Sequence, residues 1–217
     1  MKATHQHEWE ASPGLPEQLP AGEHVIWQGR PQVGTLANHA FHLKKVAVYF
    51  LLMWVWQGVV LIDDSMPSRL AVEQLAVSLA LIVAALLMLY FLAWWSAQTT
   101  LYTLTNRRVV MRIGIVLSVT FNLPYRQIAA AHLKDLPHGA GDLALELSSV
   151  NRIGWFHLWP HQRAWHVKQP QPTLRCIEDA QLVSETLQKA WHAAQEAGAM
   201  REHASTNSPP DWQGFPA

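Results

Sequence analysis

Histidine, arginine and tryptophan are the side chains whose number and spacing invite a chemical reading. Twelve histidines are present; His157, His161 and His166 stand close together, and His5 and His7 lie near the start. Metal or pigment ligation needs an imidazole nitrogen held in fixed geometry. His157 and His161 are four residues apart, a spacing that would align them on a helix. Pro160 lies between them, however, in a stretch patterned as strand or loop. Turn or surface histidines are the reading this pattern supports, and no metal or cofactor is expected. Arg107, Arg108 and Arg112 form a compact basic cluster, and guanidinium forks match phosphate, so the cluster is a candidate lipid- or partner-binding site. Trp155, Phe156, His157, Trp159, His161, Arg163 and Trp165 form a candidate partner-binding stretch, because Trp and Arg are enriched at binding hot spots. A second reading of that stretch stays open: two or three rings fill a core and the others rest on a membrane surface.

Nucleophile chemistry finds no support. The sequence has no Gly-x-Ser-x-Gly elbow, no P-loop and no His-Glu-x-x-His. Gly139-Ala140-Gly141 reads as a turn. The single cysteine, Cys176, has Arg175 beside it but no evident base. One cysteine also excludes an internal disulfide and a Cys-based zinc site, and fits a reduced compartment. No catalytic residue and no enzymatic activity are expected. Lys and Arg balance Asp and Glu at 16 each, so no overall field favours nucleic acid.

The elements that must position these residues fall into two halves. Half of the residues are hydrophobic, yet the mean hydropathy is only +0.02, so the apolar residues are gathered in blocks. Val46 to Ile62 is broken only by Gln57 and Gly58, and would make a helix about 26 Å long. Leu75 to Trp95 would span about 32 Å, with Ser78 as its strongly polar member. Neither block has the polar face of a soluble helix, so a transmembrane hairpin is expected. No histidine lies in either block, so no intramembrane pigment ligand is encoded. Lys44 and Lys45 precede the first block, Arg107 and Arg108 follow the second, and Asp63 and Asp64 lie between. The positive-inside rule then puts both termini in the cytoplasm. The polar first 40 residues give no sign of a cleavable signal peptide. Trp is abundant, at 11 residues, and Trp94 and Trp95 fit an interfacial belt.

Beyond Trp95 the periodicity becomes alternating. Strands are expected over Thr99 to Thr105, Arg108 to Ile113, Ile115 to Phe121, Tyr125 to Leu133, Leu143 to Leu147, and near Arg152 to Leu158. Asn106, Gly114 and Pro137 to Gly141 mark turns, and Pro124 ends the third strand. A strand of seven residues leaving the membrane would carry the Arg107 turn up to about 23 Å outward. That geometry ranks a solvated turn first for the basic cluster, a protein partner second and a lipid third. Asp179 is a candidate N-cap for a helix whose apolar stripe is Val183, Leu187, Ala190, Trp191 and Ala194, and Gly198 can end it. The expected fold class is an α+β membrane protein: a two-helix transmembrane hairpin plus an antiparallel, pleckstrin-homology-like (PH-like) partial β-barrel with a C-terminal amphipathic helix. Alternation alone also fits other small barrels. The expected divisions are a cytoplasmic segment 1–43, the hairpin 44–96, the β-domain 97–197 and a disordered tail 198–217.

Two groups of motifs carry a resemblance. Tyr102 to Val110, with Arg112 and Gly114, resembles the opening hairpin of bacterial PH-like membrane proteins. Gly14 to Glu17, Leu19 to Glu23 and Trp27 to Pro31 are similar to the N-terminus of the PuhB family of photosynthetic complex assembly proteins. Asn122-Leu123-Pro124 and Trp155 to His161 extend that similarity, which covers roughly residues 14–195. The resemblance implies a non-enzymatic factor of purple photosynthetic bacteria, in the inner (intracytoplasmic) membrane, that assists assembly of the reaction-centre and light-harvesting core. Its implied partners are subunits of that core; it defines no site residues. Two other functions compete: a general lipid- or protein-binding bacterial PH-domain membrane protein, and a self-associating scaffold using Gly58, Ala80, Ala84 and Ala85 for close helix contact.

Overall fold

A computed structural model describes residues 15, 19–63, 67–114, 119–148, 160–163 and 170–206. The chain enters with a strand, β1 (Val25–Gly29), then a short helix, α1 (Val33–His39). Two long helices follow, α2 (Leu43–Asp63) and α3 (Ser68–Thr99). At 1.5 Å per residue they measure about 31 Å and about 48 Å, and both are long and apolar enough to cross a membrane. A core helix of a soluble protein would be mostly buried, whereas the most apolar stretches of α2 and α3 are only 6% and 0% buried. The two helices pack against each other. Trp54 Nε1 donates to the Leu75 carbonyl at 3.1 Å, and Gly58 lies opposite the Leu75 side chain.

The strands after α3 are β2 (Leu101–Thr105), β3 (Arg108–Ile113), β4 (Val119–Pro124), β5 (Ile128–Asp135), β6 (Gly141–Leu147) and β7 (Thr173–Ile177). They form two antiparallel sheets, β1-β2-β3-β4 and β5-β6-β7. Alternation places Tyr102, Leu104, Val109 and Met111 of the first sheet against Leu143, Leu145 and Leu174 of the second. The last helix, α4 (Ala180–Thr206), closes this core with Val183, Leu187 and Ala190, while Trp191 and Ala194 pack at its margin. Its stripe is the one read from the sequence. Asp179 sits just before the helix, with its carbonyl accepting the Val183 N–H at 3.1 Å.

Several expectations need correction. The segment before the apolar helices is not separate from the β-domain: β1 pairs with β2, Val25 opposite Thr105 and Gly29 opposite Tyr102. The two long helices are therefore inserted between the first and second strands of one sheet. β7 had no counterpart in the sequence reading. Its five residues are too few for clear alternation, and Arg175 interrupts their apolar run. α4 continues through Gly198 to Thr206, so the tail does not begin at 198. One glycine costs a helix only about 1 kcal/mol relative to alanine, and strong helix formers such as Ala197, Ala199 and Met200 surround it. The expected strand near Arg152 to Leu158 and the first part of the Ile115 to Phe121 strand lie outside the described residues.

Candidate functional site at the helix–sheet junction

The β2–β3 turn and the opposite end of β2 each hold a buried polar network. At the turn, Pro20 to Glu23 form a reverse turn closed by the Glu23 N–H on the Pro20 carbonyl at 2.9 Å. Asn106 reads this segment with its side chain: Nδ2 donates to the Gly22 carbonyl at 2.8 Å and Oδ1 accepts the His24 N–H at 3.1 Å. Gly22 has a φ of +78°, a conformation that favours glycine. The Glu23 carboxylate, only 2% exposed, receives the Arg108 fork, Nε to Oε1 at 2.7 Å and Nη2 to Oε2 at 2.9 Å. Thr105 Oγ1 adds a third donor at 2.8 Å. Burial would raise the carboxyl's pKa, but the Arg108 and Thr105 hydrogen bonds and the nearby guanidinium charges outweigh it and hold it below the ordinary value.

This geometry changes the reading of the basic cluster. Arg108 is committed to Glu23 and is not an open ligand site. Arg107 is exposed at the turn, with Nη2 3.4 Å from the Ala21 carbonyl. Arg112 pairs in register with Leu101, at the opposite end of β3, and is half-buried and engaged there. Four residues of strand, about 13 Å, separate it from Arg108, so compactness in sequence does not become a cluster in space.

At the junction, one residue, Thr100, separates α3 from β2. His161, fully buried, fills the corner between them. Its Nδ1 is 2.6 Å from Tyr102 Oη, and its Nε2 is 3.0 Å from Thr100 Oγ1 and 3.4 Å from Ser96 Oγ. Tyr102 Oη also accepts the Arg175 N–H at 3.1 Å. Each ring nitrogen thus has a hydroxyl partner able to donate or accept, so the neutral imidazole is satisfied on both sides. Burial first, then the Arg175 charge, push the His161 pKa down to about 3, and burial pushes the Tyr102 phenol up. Both groups are neutral at physiological pH.

The surroundings tighten the joint. Arg175 Nη1 donates to the Pro160 carbonyl at 3.1 Å, and the Cys176 N–H donates to Asp142 Oδ1 at 2.9 Å. The Cys176 carbonyl accepts the Gln32 N–H at 2.8 Å, which ties α1 to β7. Leu36, Ala97, Leu136, Ala140 and Cys176 form a small second core around that contact. Burial pushes the Cys176 thiol up to about 12, which leaves it protonated and unreactive.

His161 is thus a buried structural histidine rather than a surface or partner-binding one. Arg163 is half-buried and donates to Gln171 Oε1 at 2.9 Å. Trp155, Phe156, His157, Trp159 and Trp165 lie outside the described residues. Sequence reasoning missed Glu23, Ser96, Thr100, Tyr102 and Arg175. For Glu23 there was a signal, a lone acid closing Leu19-Pro20-Ala21-Gly22-Glu23. For Ser96 and Thr100 there was only their place at the end of the apolar block. Among the described residues, no group of three or more His, Cys, Asp and Glu could hold a metal ion.

Comparison with known proteins gives three similarities. A family model described as "Bacterial PH domain" matches residues 43–191. A protein of Rhodobacter capsulatus is 35% identical over 191 residues, covering 87% of this chain and 89% of its own length. Its name is "Uncharacterized 23.7 kDa protein in puhA 5'region". A crystal structure of a DUF1696 family protein with a pleckstrin-homology domain, from Shewanella loihica, shares 14% identity at a TM-score of 0.29, covering 42% of this chain and 71% of that one.

Proposed function

Because this chain belongs to the bacterial PH domain family, we propose that it is a membrane-anchored, non-enzymatic factor that assists assembly of the photosynthetic reaction-centre and light-harvesting core. The observation that carries the reading is the short, hydrogen-bonded joint between helix and domain. α3 passes into β2 through a single residue, His161 locks that corner, and β1 ties the chain before α2 into the same sheet. A domain held this way has little freedom to leave the bilayer surface, so its partners lie in or beside the same membrane. In this reading α2 and α3 are the membrane spans, and the positive-inside rule applied to Lys44, Lys45, Arg107 and Arg108 supports cytoplasmic termini.

The choice of partner rests on two supports. The name of the Rhodobacter capsulatus relative puts it in the puhA 5' region, and the N-terminal block resembles the PuhB family. In a photosynthetic host, deleting the gene is expected to lower the amount of assembled core complex while the remaining complex keeps a normal absorption spectrum. Unchanged complex levels would overturn the assembly role.

A further inference from the structure

A cavity of about 300 Å³ opens on the outer face of the β5-β6-β7 sheet, lined by His132, Lys134, Asp142, Arg163, Thr173 and Arg175 among others. Three permanent cations share it with one carboxylate. Asp142 is buried and already accepts the Cys176 N–H, with Arg175 Nε 3.7 Å from its other oxygen. Lys134 stands opposite Asp142 in register, so its side chain rises from the same face. Among the described residues, the Arg163 guanidinium donates to a neutral amide, that of Gln171. Arg175 Nε is buried and has no hydrogen-bond partner among the described residues. Among the described lining residues guanidinium and ammonium groups outnumber carboxylates three to one, an excess that focuses positive potential in a concave site.

We propose that Lys134, Arg163 and Arg175 form a phosphate-binding site that holds the phosphate of an anionic headgroup or a free phosphate. The position supports a headgroup. Arg163 is two residues, under about 7 Å of extended chain, from His161, which touches Ser96 and Thr100 at the end of α3. Trp95 directly precedes Ser96, and the headgroup layer is about 5 to 7 Å deep on each side of a bilayer. Only the choice of a headgroup over free phosphate rests on the membrane reading above; the cation set does not. The site is also distinct from the Arg107 turn, which lies at the other end of β2.

The test uses the full-length protein in a mild detergent, titrated separately with a water-soluble short-chain phosphatidylglycerol, the matching phosphatidylcholine, and inorganic phosphate. Preferential binding of phosphatidylglycerol is expected, weakened about tenfold or more in Lys134→Gln/Arg163→Gln and unchanged in Arg107→Gln. Asp142→Asn keeps the acceptor for the Cys176 N–H and removes the competing charge, so it should bind more tightly, a gain that misfolding cannot imitate. Inorganic phosphate binding with the same variant responses, and no advantage for the lipid, would assign the site to free phosphate. Absence of binding by every probe, binding indifferent to the double variant and to Asp142→Asn, or loss in Arg107→Gln would each overturn the proposal.

Discussion

At the Asn106–Arg107 turn the buried polar group is a carboxylate held ionised; beside the end of α3 it is an imidazole held neutral. Glu23 receives three donors and a guanidinium charge. His161 bonds a phenol through one ring nitrogen and hydroxyls through the other, and among the described residues these partners are uncharged. The difference follows from what surrounds each network. An ion pair beside open water loses little solvation on the exposed side of its arginine, whereas a charge at the base of an apolar helix has no such outlet. The polar atoms of Glu23 and of the His161 ring are all hydrogen-bonded, but only the turn depends on charge. That distinction can be broken experimentally.

Removing β1 is expected to have the largest effect. A fragment beginning at residue 97 retains α4 and six strands, but it loses the partner of β2 and the whole Glu23 clamp. An unpaired β2 edge is an aggregation template. Such a fragment should fail to give a cooperative unfolding transition, or should aggregate, while the full chain in detergent remains folded. A soluble, cooperatively folding fragment would show that the turn network is dispensable and that the junction suffices.

Arg108→Ala comes next. It leaves a carboxylate that is 2% exposed without its ion partner, a loss of about 3 kcal/mol measured by denaturant unfolding of the full chain. Glu23→Gln/Arg108→Ala should recover part of that loss, because the uncompensated charge is then gone. Equal stability of the single and double variants would mean that the pair is not a buried ion pair in solution.

Acid separates the two networks by the pH at which each begins to fail. His161 has a folded pKa of about 3, while an unfolded histidine titrates near about 6.5. Between those values the unfolded chain binds the extra proton, so stability falls as pH drops, by up to about 1.4 kcal/mol per pH unit. The Glu23 carboxyl is also depressed when folded, so its contribution is intact above the ordinary carboxylate pKa and is lost only as pH falls through its lower folded value. His161→Gln keeps one acceptor and one donor without titrating. It should flatten the stability profile between about pH 6.5 and pH 5 and leave the steeper loss in stronger acid. An unaltered profile would mean that His161 reaches solvent.

Much of this architecture was legible because it rests on local periodicity. The apolar blocks, the alternation of Leu143 with Leu145, and the stripe of Val183, Leu187 and Ala190 all report which face is buried. The candidate sites were not legible in the same way. Glu23 and Arg108 are joined across the inserted helices, with a sequence separation of 85. His161 meets Tyr102 across a separation of 59. No periodicity encodes such pairings. The Arg107, Arg108 and Arg112 cluster misled for the converse reason: a strand alternates faces and extends, so neighbours in sequence point apart or lie at opposite ends.

The smallest expected effect is the one that sharpens the comparison within the turn itself. Arg107 and Arg108 are adjacent and identical in charge, yet only Arg108 reaches the buried carboxylate. Arg107 is exposed, and among the described residues its side chain makes one long contact, to the Ala21 carbonyl at 3.4 Å. The distant charge of Arg107 does add to the field on Glu23, but as the weakest of its lowering influences. Arg107→Ala should therefore change stability by no more than about 0.5 kcal/mol, against several times that for Arg108→Ala in the same unfolding assay. If the two variants proved equally costly, the turn would be held by its overall positive charge, not by the bidentate geometry of one fork.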